Sequence, residues 1–182
     1  MALEFTTSYL KDSVDVLHFY KRLGERAIEQ VPEESLCATL DAESNSIAIL
    51  VKHMHGNMRS RWSDFLTTDG EKPDRHRDTE FEDSSKTRAA LMAQWEAGWK
   101  YVFDALAELA DADLSRKVYI RTEAHSVMQA INRAVGHYAY HTGQIVYLAK
   151  HFAGANWKAL TIPRGQSAEF NTRVASRQSS QR

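Results

Sequence analysis

The chain has 182 residues and a formal net charge of −1; 43% of its residues are hydrophobic and 26% are charged, which is typical of one globular domain and excludes a disordered chain. The near-neutral charge argues against a protein that holds nucleic acid by phosphate neutralisation, and no apolar run approaches the roughly 18 residues needed to cross a bilayer. Because the single cysteine cannot form an internal disulfide and no secretory signal is visible, we expect a cytoplasmic protein without nucleic-acid or membrane partners.

Apolar residues recur at spacings of three and four in four segments, which predicts four long amphipathic helices and an all-α fold without a substantial sheet. The first helix is predicted over about residues 3–29 and ends before Pro32, which cannot continue a helix. The second is predicted over about residues 45–66, with Ser44 or Asn45 as its N-cap.

The third helix is predicted over about residues 85–109 and the fourth over about residues 126–152. In the fourth helix the spacing between apolar residues alternates between three and four, as it does in the seam of a helical bundle. Gly154 marks the predicted end of this helix. Residues 67–84, between the second and third helices, are polar and too many for a tight turn. We expect this segment to cross the helices or to cover one end of them.

After the fourth helix, residues 156–171 have an apolar content that is unusual for a surface tail, with Trp157, Leu160, Ile162 and Phe170. We therefore expect a non-helical segment that docks back onto the helices. The folded domain is accordingly predicted to span residues 1–171, and the polar residues 172–182 are expected to form a disordered tail.

Two histidines in the fourth helix, His137 and His141, are four residues apart. This spacing stacks both imidazoles on one face of a helix, about one turn apart, so that both reach the same ion. His141 falls on the apolar seam, where an unpaired polar group is costly. The pair therefore indicates either metal ligands or core histidines that are hydrogen-bonded to their neighbours.

A third ligand is expected from another helix, since two histidines seldom complete a site. The second helix offers His53 and His55, on opposite flanks of its apolar stripe, and periodicity does not choose between them. Asn57, one turn beyond His53, is a candidate hydrogen-bond partner that orients it.

The chemistry of these ligands favours one divalent ion, either zinc or nickel, because no aspartate or glutamate lies within a helical turn of the histidines. This absence argues against a two-histidine, one-carboxylate iron site and against a di-iron site. Positions left open to water or substrate are typical of a catalytic centre. Arg75, Arg77 and Arg164 lie in segments suited to cover the site, either to hold an anionic substrate or simply as solvated side chains.

Three stretches of the chain, residues 46–58, 136–145 and 162–170, resemble the DinB-like superfamily of damage-inducible, metal-dependent helical proteins. The likeness reaches nearly to Asn171, and the third stretch and residues 68–74 are similar to a branch whose function is not established. The resemblance implies an up-down-down-up four-helix bundle, often dimeric, with His53, His137 and His141 as ligands. Gln144, within the second stretch, is expected to support the ligands together with Asn57.

Some members of that superfamily are thiol S-transferases or thiol-dependent isomerases that use bacillithiol, mycothiol or glutathione. The resemblance therefore implies a metal-dependent transferase that joins a low-molecular-weight thiol to a small electrophile. The alternative is a non-catalytic stress-response protein that binds metal or an interaction partner. An ion beneath a concave pocket favours the first function, whereas a closed site without a cavity favours the second.

The fourth helix carries a further stripe, formed by Gly136, Tyr140, Gly143 and Tyr147. Glycines between tyrosines allow another helix to approach closely, either within the same chain or from a second subunit. Because the core seam already faces the other helices, we expect a homodimer.

Overall fold

The computed structural model describes residues 8–82 and 87–176. Its helices are α1 (Tyr9–Ile28), α2 (Ile47–Trp62), α3 (Arg88–Ala107), α4 (Val127–Ala153) and α5 (Ser167–Ala175). Strands β1 (Lys117–Ile120) and β2 (Glu123–Ser126) form an antiparallel hairpin between α3 and α4. Short 3₁₀ helices lie at Glu33–Ser35, Arg77–Phe81, Asp111–Ser115 and Gly154–Asn156. None of the helices in the described part of the chain has the length and apolarity required to span a membrane.

Each of the four long helices begins at a side-chain hydroxyl that accepts a backbone N–H in the first turn: Ser8, Ser46, Thr87 and Ser126. The N-cap of α2 is therefore Ser46, and the prediction of Ser44 or Asn45 is wrong by one or two residues, because the Ser46 hydroxyl reaches the amide of Ile49 at 3.2 Å. The predicted end of α4 at Gly154 is confirmed, with φ at 53°.

The four long helices pack mainly in two pairs, α2 along α3 and α1 along α4, with smaller contacts between α2 and α4 and between α1 and α3. Large side chains such as Leu17, Met54, Trp99 and Tyr138 are fully buried between them. The chain is thus mostly helical, as predicted, and its core lies between the helices.

The hairpin is a correction to the all-α prediction. Val118 and Ile120 are buried while the residues between and before them are exposed, so β1 has the period-two pattern of a strand. Four residues are too few for this pattern to be distinguished in the sequence from an irregular loop.

The predicted helix ends also differ at several places. Helix α2 ends at Trp62, earlier than predicted, because the backbone of Ser63 is extended; Asp64 then adopts a left-handed φ of 47°. Phe65 nevertheless stays buried, with its ring centroid 4.6 Å from that of Trp62. The predicted helical residues 3–7 and 85–86 lie outside the described residues.

The segment after α4 docks back onto the helices as predicted, but only through its first part. Leu160 is buried in the core, its carbonyl accepts a 2.9 Å hydrogen bond from Arg26, and Gln30 binds the backbone of Lys158. The prediction that this tail is non-helical is wrong, since α5 forms a helix that buries none of its residues. The predicted domain end at residue 171 falls within α5, and residues 177–182 lie outside the described residues.

Candidate metal centre

Three histidine side chains from two helices meet at one point. The Nε2 atoms of His53 on α2 and His137 on α4 are 3.4 Å apart, and those of His137 and His141 are 3.0 Å apart. The candidate ligand atoms of all three residues lie within 4.8 Å of one another. Nitrogens bound at 2.0–2.1 Å to a tetrahedral ion would be about 3.4 Å apart. The spacing therefore fits one divalent ion.

The ring of His53 is held from its other side by a carboxylate. Its Nδ1 atom lies 2.8 Å from Oε2 of Glu80, which belongs to the 3₁₀ helix Arg77–Phe81. Although burial opposes ionisation, hydrogen bonds from His53 and Arg75 lower the pKa of Glu80. Because an ionised carboxylate only accepts hydrogen bonds, His53 carries its proton on Nδ1 and its lone pair on Nε2, toward the other histidines.

Arg75 anchors Glu80 in this position. Its Nε and Nη2 atoms donate hydrogen bonds of 2.8 and 2.9 Å to the two carboxylate oxygens, and the side chains of Arg75 and Glu80 are only 4% and 8% exposed. A two-point contact between buried groups fixes orientation as well as distance. The guanidinium, the carboxylate and the imidazole of His53 therefore form one buried chain of hydrogen bonds.

A glycine on α2 makes room for this chain. A Cβ atom added at Gly56 would lie 2.2 Å from Oε1 and 2.7 Å from Cδ of Glu80. Such contacts are far inside van der Waals distance, so any other residue at this position would push the carboxylate away. The absence of a side chain at Gly56 thus allows Glu80 to reach His53.

The imidazole of His141 is oriented in a similar way by Gln144. Its Nδ1 atom lies 2.8 Å from the Gln144 side-chain oxygen, which can only accept a hydrogen bond, so the Nε2 lone pair again faces the other histidines. Burial lowers the pKa of His141, and burial together with His141 and His53 lowers the pKa of His137 to about 3. His137 and His141 are therefore neutral, the form that binds metal, at neutral pH.

Asn57 has a different partner from the one predicted. Its side-chain oxygen accepts a 3.2 Å hydrogen bond from the hydroxyl of Tyr138, which in turn accepts one of 2.9 Å from Nε1 of Trp62. Burial raises the pKa of Tyr138, which keeps its phenol neutral. Asn57 therefore holds Tyr138 in the wall of the site, and Glu80 occupies the place beside His53 that the sequence assigned to Asn57.

The three histidines open onto a cavity of about 620 Å³. Aromatic and aliphatic side chains form one part of its wall, among them Trp62, Phe65, Phe81, Ile120 and Tyr140. Five arginines form another part: Arg61, Arg75, Arg77, Arg121 and Arg133. This volume is within the range of small-molecule sites, so an ion on the histidines would be accessible to a ligand of that size.

A family described as Protein of unknown function (DUF1572) matches residues 4–166, a stretch that contains all three histidines and the connection that carries Glu80. The chain belongs to this family. No curated protein matches the sequence. The site of this DUF1572 protein is therefore interpreted from its own geometry.

In this DUF1572 chain, the structure distinguishes the two histidines that periodicity left open. His53 lies with the pair on α4, whereas His55 faces α3. A Cβ added at Gly98 would be 3.1 Å from the His55 Cα atom, and the His55 ring centroid is 6.3 Å from that of Tyr101. His55 is thus packed between two helices, away from the candidate ligands.

Of the predicted anion-binding arginines, Arg75 and Arg77 line the cavity and Arg164 does not. Arg164 is exposed in the tail, which packs beyond the end of α4. The described residues of the tail, 157–176, do not line this cavity.

Sequence reasoning missed Glu80, Gly56 and the arginines Arg61, Arg121 and Arg133. Glu80 lies 27 residues after His53, in a segment with many other acidic residues, and no spacing rule selects it. The sequence did contain one indication of the contact between Gly56 and Glu80. An isolated glycine inside a helical pattern, here Gly56, often marks a close approach by another group.

Proposed function

We propose that this chain is a metal-dependent transferase that joins a low-molecular-weight thiol to a small electrophile. One divalent ion, zinc or nickel, binds to His53, His137 and His141. The observation that carries the proposal is the convergence of three imidazole Nε2 atoms on the wall of an open cavity. We place the reaction in the cytoplasm, where small thiols are kept reduced.

The protein residues prepare this site before any substrate enters. Glu80 and Gln144 fix the tautomers of His53 and His141, so that the ligand set needs no rearrangement. When bound, a divalent ion supplies positive charge that lowers the pKa of a coordinating thiol. The neutral phenol of Tyr138, held by Asn57 and Trp62, keeps the adjacent wall rigid.

The proposed reaction is a substitution at carbon. The thiol sulfur forms a bond to the electrophilic carbon, and the leaving group departs with the electron pair of the broken bond. The sulfhydryl proton passes to solvent. With an aryl chloride the products are a thioether, chloride and a proton, so no oxidant or reductant is required.

We also propose that the family belongs to the DinB-like superfamily and that the chain forms an up-down-down-up four-helix bundle. Two features support this proposal. The four long helices pack as the pairs α2–α3 and α1–α4, and a long connection joins α2 to α3. The three histidines occupy the positions that the resemblance assigns to metal ligands.

A non-catalytic interaction protein is the second candidate, and one observation favours an interaction surface. Tyr140 and Tyr147 are 62% and 68% exposed on α4, and added Cβ atoms at Gly136 and Gly143 would have nothing within 4 Å. No described residue packs against the two glycines. Gly136 and Tyr140 also border the cavity, so the part of the stripe at Gly143 and Tyr147 is the part open to a partner. We propose that it pairs with the same stripe of a second copy in a homodimer.

Elemental analysis of the purified protein, combined with a conjugation assay, tests the proposed function. We expect one zinc or nickel ion per chain. We also expect conjugation of 1-chloro-2,4-dinitrobenzene to bacillithiol, mycothiol or glutathione that is lost with a chelator and restored by metal. His53→Ala should abolish it. A metal-loaded protein that conjugates none of the three thiols would favour the non-catalytic candidate.

A further inference from the structure

The charge of the cavity wall is one-sided. Five arginines line the cavity, and among the described residues lining it there is no aspartate or glutamate. The arginines come from α2, from the connection after it, from the hairpin and from α4: Arg61, Arg75, Arg77, Arg121 and Arg133. Arginines gathered from four segments around one cavity indicate a binding site for negative charge.

Two carboxylates partly neutralise three of these arginines from outside the cavity, and Arg77 has a longer contact of 3.9 Å with exposed Asp78. Oε2 of Glu71 lies 2.9 Å from Arg61 Nη1 and 3.1 Å from Arg121 Nε, and Glu80 binds Arg75. Neither carboxylate lines the cavity. Both carboxylates therefore bind the guanidinium groups on the side away from the cavity. The opposite side of each guanidinium group remains available to a ligand.

One buried guanidinium nitrogen has no hydrogen-bond partner among the described residues. It is Nη1 of Arg75, whose side chain is only 4% exposed, and Oε2 of Glu71 lies 3.5 Å from it. That separation permits an ion pair but is too long for a good hydrogen bond. A buried charged donor without a hydrogen bond is costly, and Arg75 lines the cavity, so a ligand acceptor that reached this nitrogen would stabilise it.

Arg121 is placed by a constrained turn. Arg121 and Thr122 both have left-handed φ values, 55° and 65°, and Asp69 accepts hydrogen bonds of 2.8 and 2.7 Å from their amides. A two-residue hairpin loop requires left-handed φ at both positions, and the hydrogen bonds to Asp69 fix this turn. The turn is therefore held in a conformation that brings a guanidinium to the cavity.

We propose that the cavity binds a small organic anion. Its carboxylate or phosphate group lies among the arginines, its apolar body lies along Phe65 and Ile120, and its thiol end lies toward the histidines. The placement of the thiol end rests on the proposed function, whereas the binding of the anionic group does not. The ligand is thus a thiol with an acidic group at the far end of an apolar chain.

A pair of thiols that differ only in charge tests this inference. Cobalt-substituted protein is titrated with 6-mercaptohexanoate and with 6-mercapto-1-hexanol, and the sulfur-to-cobalt charge-transfer band is followed. We expect the carboxylate to bind at least about tenfold more tightly, as a charged hydrogen bond predicts. Equal affinities would overturn the inference and leave the proposed function standing.

Calorimetric titration with hexanoate and with 1-hexanol makes the test independent of the thiol. We expect hexanoate to bind and 1-hexanol not to bind. This expectation holds even if neither thiol changes the cobalt spectrum, because an unchanged spectrum would count against the proposed function alone. Competition by inorganic phosphate and by acetate then assigns the anionic group. Failure of hexanoate, phosphate and acetate to bind would overturn the inference.

The combined variant Arg77→Gln and Arg133→Gln keeps a polar side chain at each position while removing two exposed cations at the cavity. We expect the preference for hexanoate to fall about tenfold or more. Arg59→Gln is the control, because Arg59 pairs with Asp74 and does not line the cavity. An equal loss in the control would overturn the assignment to these arginines.

Discussion

The carboxylate of Glu80 lies 2.8 Å from Nδ1 of His53, on the side of the imidazole opposite the nitrogen that faces His137. A residue of the connection thereby orients a candidate ligand of α2. The carboxylate is not itself a ligand, so the ligand set stays at three neutral imidazoles. The metal affinity of the site should consequently depend on residues that never touch the ion.

Removal of any one of the three converging histidines should sharply lower metal content. His53→Ala, His137→Ala and His141→Ala each remove one of the three nitrogens, and two imidazoles rarely retain zinc or nickel. His55→Ala is the matched control on the same helix and should keep most of the metal. Metal per chain is measured by elemental analysis after dialysis, and loss of metal in His55→Ala would refute the ligand assignment.

Glu80→Ala should lower metal affinity about 10- to 100-fold, the usual cost of losing a residue that orients a ligand. It also leaves Arg75 buried without its carboxylate, which should destabilise the metal-free protein by about 3–5 kcal/mol. Glu80→Gln keeps an acceptor for His53 and should lose less affinity. Metal affinity is measured by competition with a chromophoric chelator, and stability is measured by urea unfolding. Equal metal affinities in the wild type, Glu80→Ala and Glu80→Gln would contradict the role of Glu80.

Gly56→Ala should affect both stability and metal affinity, because the added methyl group would collide with the Glu80 carboxylate. Overpacking of this kind costs about 1–3 kcal/mol. Gly24→Ala is a steric control, since its Cβ would lie 2.6 Å from ring carbons of Trp95, outside the cavity. It should lower the free energy of unfolding but leave metal affinity unchanged. The same chelator competition applies, and unchanged affinity in Gly56→Ala would count against the contact.

The protein should be a dimer at micromolar concentration, and Tyr147→Glu should convert it to a monomer. A charge at the C-terminal end of the exposed α4 stripe would lie within the proposed twofold interface and oppose its burial. Tyr119→Glu, on the exposed side of β1, is the control and should stay dimeric. Multi-angle light scattering after size-exclusion chromatography measures the mass; a monomeric wild-type protein would refute the dimer.

The helices and the histidine pair on α4 were predictable because both follow from spacing along one chain segment, whereas the choice of His53 over His55 came from the resemblance. Apolar steps of three and four found α1 to α4, and the four-residue spacing of His137 and His141 found the pair on α4. Glu80, Arg61 and Arg121 were not predictable in this way. Their contacts are made between segments, and a charged residue in a polar loop has no periodicity that shows which group it meets.

In the tail, the sequence analysis gave one residue a docking role that it does not have. Trp157 and Leu160 were recognised as docking residues by their apolar character, and both pack on the core. The same reasoning gave Phe170 a docking role without regard to helical structure. In the structure it lies in α5, which buries no residue, so apolar content alone did not distinguish a docked segment from an exposed helix.

The connection after α2 and the turn of the hairpin are tied together. The amide of Gly70 donates a 2.8 Å hydrogen bond to the carbonyl of Tyr119, and Asp69 holds the amides of Arg121 and Thr122. Both segments supply cavity arginines, whereas the helices supply the histidines. Ligand preference can therefore diverge among relatives through these two segments without disturbing the metal centre. Because the two are joined, a substitution in one should change which substitutions the other tolerates, so directed evolution of new specificity should randomise them jointly.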